Sequence, residues 1–328
     1  MRVLVWHVHG SWMTSFVHGP DEYLVPVVPG RGPDGRGRGQ SWEWPANARE
    51  VTPEQLRDEP VDVVVLQRPR DLELLEQWTG RRAGVDVPAV YVEHNTPAGP
   101  AAATVHPLAD RTDVTIAHVT RFNALMWDCG SAPTTVVDHG IVDPGYRWVG
   151  DRDRLGVVVN EPVRRWRVAG TDRVLRVAEH VGVDVYGMGM AALGERAPEL
   201  ASGPHGRVMD LALHDDVRQD DMHTLLGRDR AYFHPYRWTS LGLSLLEAMA
   251  VGLPVLAFST TAAPEAVPPE AGVVSNDLDR LLEAARRWMR DPEEARERGQ
   301  AGRRHVLAHF SLDRFVADWQ SLLKEVTR

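Results

Sequence analysis

The chain has 328 residues, 43% hydrophobic, 25% charged and 7% aromatic, which excludes a disordered, collagen-like or membrane-bundle composition and leaves room for two domains, each with its own core. Basic residues number 37 against 46 acidic ones, and the net charge of −9 sets up a field that repels polyanions and argues against nonspecific nucleic-acid binding. Lys324 is the single lysine, an arginine bias of the kind GC-rich bacterial genomes produce, and Cys129 is the single cysteine, which excludes an internal disulfide and fits a reducing cytoplasm.

Short β-branched apolar runs at 3–5, 23–28, 61–66, 89–92, 114–117 and 135–137 read as strands of a first unit. Helical patterns separate them around Gln55, over 71–78 and over 120–127. Thr52-Pro53-Glu54-Gln55 spells a capping box with proline at the first helical position, a well-marked helix start. His7 and His9 break the apolar start, so no signal peptide is expected, and no stretch is long enough to span a membrane. Residues 30–39, GRGPDGRGRG, form a glycine- and arginine-rich loop with no hydrophobic side, expected to be solvated and mobile. A second series of strands follows at 157–159, 183–186, 231–233, 255–258 and 272–274, and the aperiodic stretch 138–155 reads as the linker. Amphipathic helices are predicted over 277–290 and 292–310, and Ser311 caps a last helix with Leu312, Phe315, Trp319 and Leu322 on one face. Such alternation predicts parallel sheets covered on both faces.

Segment 231–258 carries most of the chemical information: a strand, a polar turn, an apolar helix starting near Ser240, a Gly-Leu-Pro turn and another strand. In a parallel α/β unit this turn lies at the carboxyl edge of the sheet, where a free helix N-terminus takes an anion, most simply a phosphate. Ser240, Ser244 and Glu247 fall on one helical face, so Glu247 lies two turns beyond the anion and is spaced to accept both hydroxyls of a ribose. The competing reading pairs Glu247 with an arginine or with backbone amides in the core. Val157 to Asp172 reads as a strand followed by Arg164, Arg165 and Arg167, suited to neutralising a diphosphate. Gly187 and Gly189 follow another strand, where glycines serve either close ligand approach or an ordinary tight turn. In the first unit Glu93, His94 and Asn95 leave a strand together, and His7, His9 and Gly10 follow the first strand, so these groups are expected to line an interdomain cleft. A metal triad there lacks a carboxylate partner and is disfavoured. Asp151-Arg152-Asp153 and Asp277-Leu278-Asp279 both spell D-x-D but read better as solvated charge and a helix cap. Trp42, Trp44, Trp127, Trp148, Trp166 and Trp238 divide between sugar stacking and packing.

Gly242-Leu243, Glu247-Ala248-Met249-Ala250 and Gly252-Leu253-Pro254-Val255 resemble, in order and spacing, the nucleotide-sugar signature of family 4 retaining glycosyltransferases. That resemblance implies a GT-B fold: two Rossmann-like domains facing a cleft, with a C-terminal helix crossing back. It implies an acceptor domain over 1–145, a nucleotide-sugar domain over 146–310 and the crossing helix over 311–328. By resemblance Glu247 is the second acid of the family's E-x7-E pair and binds the donor ribose, while Thr239 stands in place of the first acid and Ser240-Leu241 replaces Gly-Phe. Arg164 or Arg165 takes the place of the family's arginine, and Arg167 substitutes for a lysine whose position Ala169 occupies. Gly187 and Gly189 match the turn near the nucleobase, His94 matches the histidine-bearing loop of the first domain, and His139 matches a turn leading to the linker. The activity implied is metal-independent transfer of a hexosyl unit, with retention, from a UDP- or GDP-sugar to a small-molecule, lipid-linked or glycan acceptor in the cytoplasm. His94, Arg165 and Arg167 would be catalytic, residues 239–243 with Arg164, Gly187, Gly189 and Glu247 would bind the donor, and His9, Gly10, Asn95 and His139 would line the acceptor side. No cofactor is implied beyond the co-substrate. The alternatives are a catalytically impaired nucleotide-sugar binder, suggested by Thr239 and Ala169, and a dinucleotide oxidoreductase, disfavoured because no G-x-G-x-x-G follows the first strand.

Overall fold

The structure is a computed structural model that describes residues 1–40, 43–201 and 209–328. The chain divides into two compact units, Met1–Val142 with Phe310–Arg328, and Asp143–His309. Trp42 lies outside the described residues.

The first unit runs β1 (Arg2–Val5), α1 (Gly10–Phe16), β2 (Glu22–Pro26), β3 (Ala48–Val51), α2 (Pro53–Asp58), β4 (Val63–Leu66), α3 (Pro69–Thr79), β5 (Ala89–Glu93), β6 (Thr115–His118), α4 (Arg121–Met126) and β7 (Thr134–Val136). All pairings are parallel, in the order β3-β2-β1-β4-β5-β6-β7. Val63 to Leu66 are wholly buried, as expected of a central strand with helices on both faces. The capping box forms as the sequence predicts: the Gln55 amide donates to Thr52 Oγ1 at 3.3 Å and the Thr52 amide to Gln55 Oε1 at 2.9 Å.

Two elements depart from expectation. Strand β3 was not predicted because Arg49 and Glu50 interrupt its apolar pattern; it is a sheet edge, where Arg49 bonds Glu22 and Glu59. The loop 30–39, expected to be loose, is tied down by charge: Arg31 binds both Glu50 oxygens, the Arg38 amide donates to Glu50 Oε1, and Gly37 donates to Pro26 O.

The second unit runs β8 (Arg152–Val158), α5 (Trp166–Ala169), α6 (Thr171–Ala178), β9 (Gly182–Gly187), α7 (Met190–Ala201), β10 (Leu211–Asp215), α8 (Gln219–Leu226), β11 (Asp229–His234), α9 (Leu243–Val251), β12 (Val255–Ala257), α10 (Ala263–Ala266), β13 (Gly272–Val274), α11 (Leu278–Arg290) and α12 (Pro292–His309). Its six strands are parallel in the order β10-β9-β8-β11-β12-β13, so the winding reverses between β8 and β11. The other unpredicted strand, β10, is again an edge, with half-exposed Leu211 to His214. Helix α9 is apolar apart from Ser244 and Glu247 and is flanked by α8 and α12; a Cβ on Gly299 of α12 would stand 1.9 Å from the Gly252 carbonyl oxygen.

The last helix, α13 (Leu312–Val326), begins as predicted with Ser311 Oγ accepting the Arg314 amide, and it packs within the first unit. Phe315 and Trp319 meet Trp12 at ring distances of 6.2 and 5.5 Å, and Trp319 also meets Phe16 at 5.1 Å.

Candidate functional site

In the second unit, the reversal between β8 and β11 sets the loops following these strands side by side at the carboxyl edge. They press together closely: Gly170 has φ +73°, and a Cβ there would stand 1.9 Å from the Pro235 carbonyl oxygen, so only glycine fits. Arg237 fastens the same contact by gripping both Asp172 oxygens at 2.6 and 2.7 Å and the Arg167 carbonyl at 3.0 Å.

Helix α9 opens here without a side-chain cap and without an acid in its first turn, so its leading amides and its positive dipole end are offered to an anion. It starts at Leu243, not near Ser240. Ser240 is therefore off the helix and buried, with its carbonyl accepting the Ala262 amide, and the expected face of Ser240, Ser244 and Glu247 does not exist. Gly242 caps the helix start because a Cβ there would lie 2.8 Å from Cε1 of His234. Burial pushes the His234 imidazole down to about 3, so it is neutral. Its ring lies 4.9 Å from that of Tyr236, over which the Arg165 guanidinium sits at 5.4 Å. Arg165, Tyr236, His234 and Gly242 thus form a continuous stack from the arginine loop to the start of α9.

Of the three arginines expected to face this helix, only Arg165 joins the stack. Arg164 is exposed, 3.5 Å from Glu161. Arg167 is exposed and acts on Asp172, whose carboxyl burial pushes up but whose neighbours Arg237, Arg173 and Arg167 hold below the usual range. Thr239, Gly242 and Leu243 are half-buried at the mouth, whereas Leu241 is a core residue at 6% exposure.

Glu247, in the second turn of α9, is buried. Among the described residues neither an arginine nor backbone amides hold it: Gln219 of α8 donates to Oε1 at 2.9 Å, and His223 Nε2 stands 3.5 Å from Oε2. Two partners leave a carboxylate with acceptor capacity to spare. Gly187 and Gly189 close the turn after β9 with φ +141° and +84°; a Cβ on Gly187 would stand 2.1 Å from the Val159 carbonyl oxygen. Asn160 Oδ1 accepts the Met188 amide, and Asp215 Oδ1 accepts the amides of Gly189 and Met190, so the loops after β8, β9 and β10 are knitted into one rim.

Sequence reasoning missed Asn160, Asp215, Gln219, His223, Tyr232, His234 and Tyr236. Two signals were present: Gln219 and His223 lie four apart on a helix with a buried face, and Tyr232, His234 and Tyr236 alternate at the period of a strand. The D-x-D pairs are structural. Asp151 and Asp153 flank the start of β8 and bind Arg228 and Arg230, each at 2.8 Å, so they are not in a linker, and Asp277 caps α11.

In the first unit, the carboxyl edge gathers His9, His94 and His139, which follow β1, β5 and β7. The His9 and His94 rings lie 4.0 Å apart, and Trp12 meets His94 edge-on at 5.1 Å. Burial pushes His9 down to about 4, with Arg36 and Arg68 adding to it, and pushes His139 down to about 3, with His9 and Arg314 adding. His94 is pushed well below its ordinary value by burial and by the other two histidines. All three are neutral imidazoles. Gly10 opens α1 beside His9, and the Asn95 side chain is exposed while its carbonyl accepts Trp127 Nε1 at 2.8 Å. His7 departs from expectation: its Nδ1 meets the Gly37 carbonyl at 2.9 Å and its ring lies tilted at 4.8 Å from that of Trp44. Glu93 also turns inward, meeting His106 at 3.1 Å and accepting the Asn95 amide. Among the described residues no cluster of three or more His, Cys, Asp or Glu is arranged to hold a metal ion, and no helix is long and apolar enough to cross a membrane.

Along 99% of both chains the structure superposes on sucrose-phosphate synthase from Thermosynechococcus elongatus with a TM-score of 0.73 at 14% identity. It superposes on Anabaena HepE in complex with UDP-glucose with a TM-score of 0.70 at 13% identity, covering 99% of this chain and all of that one. The fold is GT-B. Upon this GT-B scaffold, residues 167–321 match the glycosyl transferase-like family model, which begins just after Arg165 and takes in α9 and Glu247. A 73-residue stretch, 22% of this chain, is 42% identical to a GDP-mannose-dependent monoacylated alpha-(1-6)-phosphatidylinositol monomannoside mannosyltransferase of Corynebacterium glutamicum; the match spans about a fifth (19%) of that relative's length.

Proposed function

We propose that this chain is a glycosyltransferase that moves a hexosyl unit from a UDP- or GDP-sugar to an acceptor hydroxyl, with retained anomeric configuration and without a resident metal. The observation that carries this reading is the uncapped start of α9 beside the Arg165 stack, with Glu247 one turn further along. The helix end and Arg165 supply fixed positive charge for a diphosphate, the work a divalent cation does in other transferases. Glu247, with one oxygen held by Gln219, accepts the ribose hydroxyls, and the Gly187–Gly189 turn admits the base.

In this reaction the bond from the anomeric carbon to the β-phosphate oxygen breaks and a bond to the acceptor oxygen forms on the same face. The hydroxyl proton passes to the departing diphosphate, whose charge Arg165 and the α9 amides stabilise. Arg167 and Arg164 are assigned lesser electrostatic roles, since both are solvated. His94 serves as a neutral imidazole that hydrogen-bonds the sugar or the acceptor, with His9, Gly10, Asn95 and His139 at the acceptor side. The two donor nucleotides follow from the relatives, one named for GDP-mannose and one captured with UDP-glucose. The acceptor is a small molecule, a lipid-linked sugar or a glycan, met in the cytoplasm.

The test is turnover. With UDP-glucose, UDP-N-acetylglucosamine and GDP-mannose as donors, one is expected to release its nucleoside diphosphate in an acceptor-dependent manner at a rate unchanged by a chelator, giving an α-linked product by NMR. Tight donor binding without transfer to any of a broad set of acceptors would instead mark a binding protein.

A further inference from the structure

We propose that Ser244 positions the diphosphate through its side chain, and that Tyr232 sets the direction of its hydroxyl proton. The proposal rests on the reading above that the start of α9 holds a diphosphate. Tyr232 is wholly buried on β11, and a buried phenol proton must find an acceptor. Ser244 Oγ lies 3.0 Å from the Tyr232 oxygen, while His234 Nδ1 lies at 3.4 Å, beyond a good O–H···N bond. The phenol therefore donates to Ser244.

A hydroxyl that accepts one hydrogen bond still has its own proton to give. In a helix a serine usually returns that proton to the carbonyl four residues earlier. Here that residue is Ser240, which lies outside the helix and accepts the Ala262 amide, and Ser244 makes no hydrogen bond back to it. Ser244 is half-buried at the second position of α9, and its Oγ stands 3.5 Å from where a Cβ on Gly242 would be. Its proton is thus directed to the same mouth as the leading amides of α9, those of Leu243 and Ser244. Serine is also out of character in LSLLEAMAV, whose other members apart from Glu247 are apolar. Tyr232 acts as a positioning residue, not as a ligand.

The experiment titrates UDP, GDP and the nucleosides uridine and guanosine into the full chain by calorimetry, using wild type, S244A, S244T, Y232F and the S244A/Y232F double variant, with melting temperatures recorded alongside. For whichever diphosphate binds, S244A is expected to weaken affinity about tenfold and Y232F a few-fold, with the double variant no weaker than S244A alone. S244T keeps the hydroxyl and should retain affinity, and nucleoside binding should not change. A folded S244A that binds the diphosphate as tightly as wild type overturns the inference while leaving the donor reading intact. If neither UDP nor GDP binds wild type, the donor reading fails and the inference falls with it.

Discussion

Glu247 shows how far a single residue can be read. An acid inside an apolar helix announces that it has partners, because a bare buried carboxylate is too costly to keep. Which partners it has was not legible: Gln219 and His223 come from a separate helix more than twenty residues earlier, and nothing local in sequence ties them to position 247. The histidines carry a prediction of their own. His9 and His118 are pushed down by burial to about 4, and His139 and His234 to about 3. Below pH 6.5 the unfolded chain takes up protons at these sites that the folded chain refuses, so stability falls on acidification by about 1.4 kcal/mol per pH unit for each histidine. Asp229 opposes them, since burial and the neighbouring Asp184 push its carboxyl up and the folded state keeps that proton. Asp71 and Asp138, also pushed up by burial, act with Asp229, while burial lowers His7, His94 and His305 as well, so the histidines still outnumber the opposing carboxyls and the sum falls. Melting temperature should decline steadily from pH 6.5 to 4.5; a flat profile over that interval would show that the histidines protonate in place.

At the level of elements, the runs that sequence periodicity located are the ones with unbroken apolar or β-branched sequence, whether buried on both faces like VVVL of β4 and AVYVE of β5 or at a sheet edge like TTV of β7 and GVV of β13. The strands it missed, β3 and β10, are sheet edges, where one side is open and charged or polar residues are tolerated, so the apolar signature is diluted. Helix α1 escaped because it is only seven residues long, begins without a side-chain cap and is covered by residues from the far end of the chain. Helix α9 was recognised but its start was placed three residues early, because Ser240 continues the helical spacing of Ser244 and Glu247, whereas Gly242, packed against His234, is where the helix begins. That helix depends on close approach to α12. Gly299→Ala would drive a methyl into the Gly252 carbonyl, and a loss of about 1–3 kcal/mol is expected, read as a lower urea midpoint at constant slope. An unchanged midpoint would mean that α12 can shift away freely.

At the level of the whole chain, alternation of strands and helices was enough to announce two parallel α/β units, and the final amphipathic helix announced a surface in need of cover. What it covers was not legible, since Trp12 and Phe16 lie some three hundred positions away in sequence. Phe315, Trp319, Leu322 and Leu323 are all buried in the first unit. At roughly 1.5–3 kcal/mol for each large apolar side chain, their removal would cost about as much as a domain's whole stability. A chain ending at His309 should therefore lose the cooperative melting of the first unit while the second still unfolds as a transition of its own; two intact transitions would contradict the assignment of α13 to that core. The account as a whole turns on the grip of α9 and Glu247 on an activated sugar. Calorimetric titration of UDP-glucose, UDP-N-acetylglucosamine and GDP-mannose into wild type and Glu247→Ala measures it directly. One donor should bind wild type, and a hundredfold excess over its dissociation constant should add about 2.7 kcal/mol of stability, with both effects lost in a variant that still melts cooperatively. Equal binding by the two proteins, or none by wild type, would contradict it.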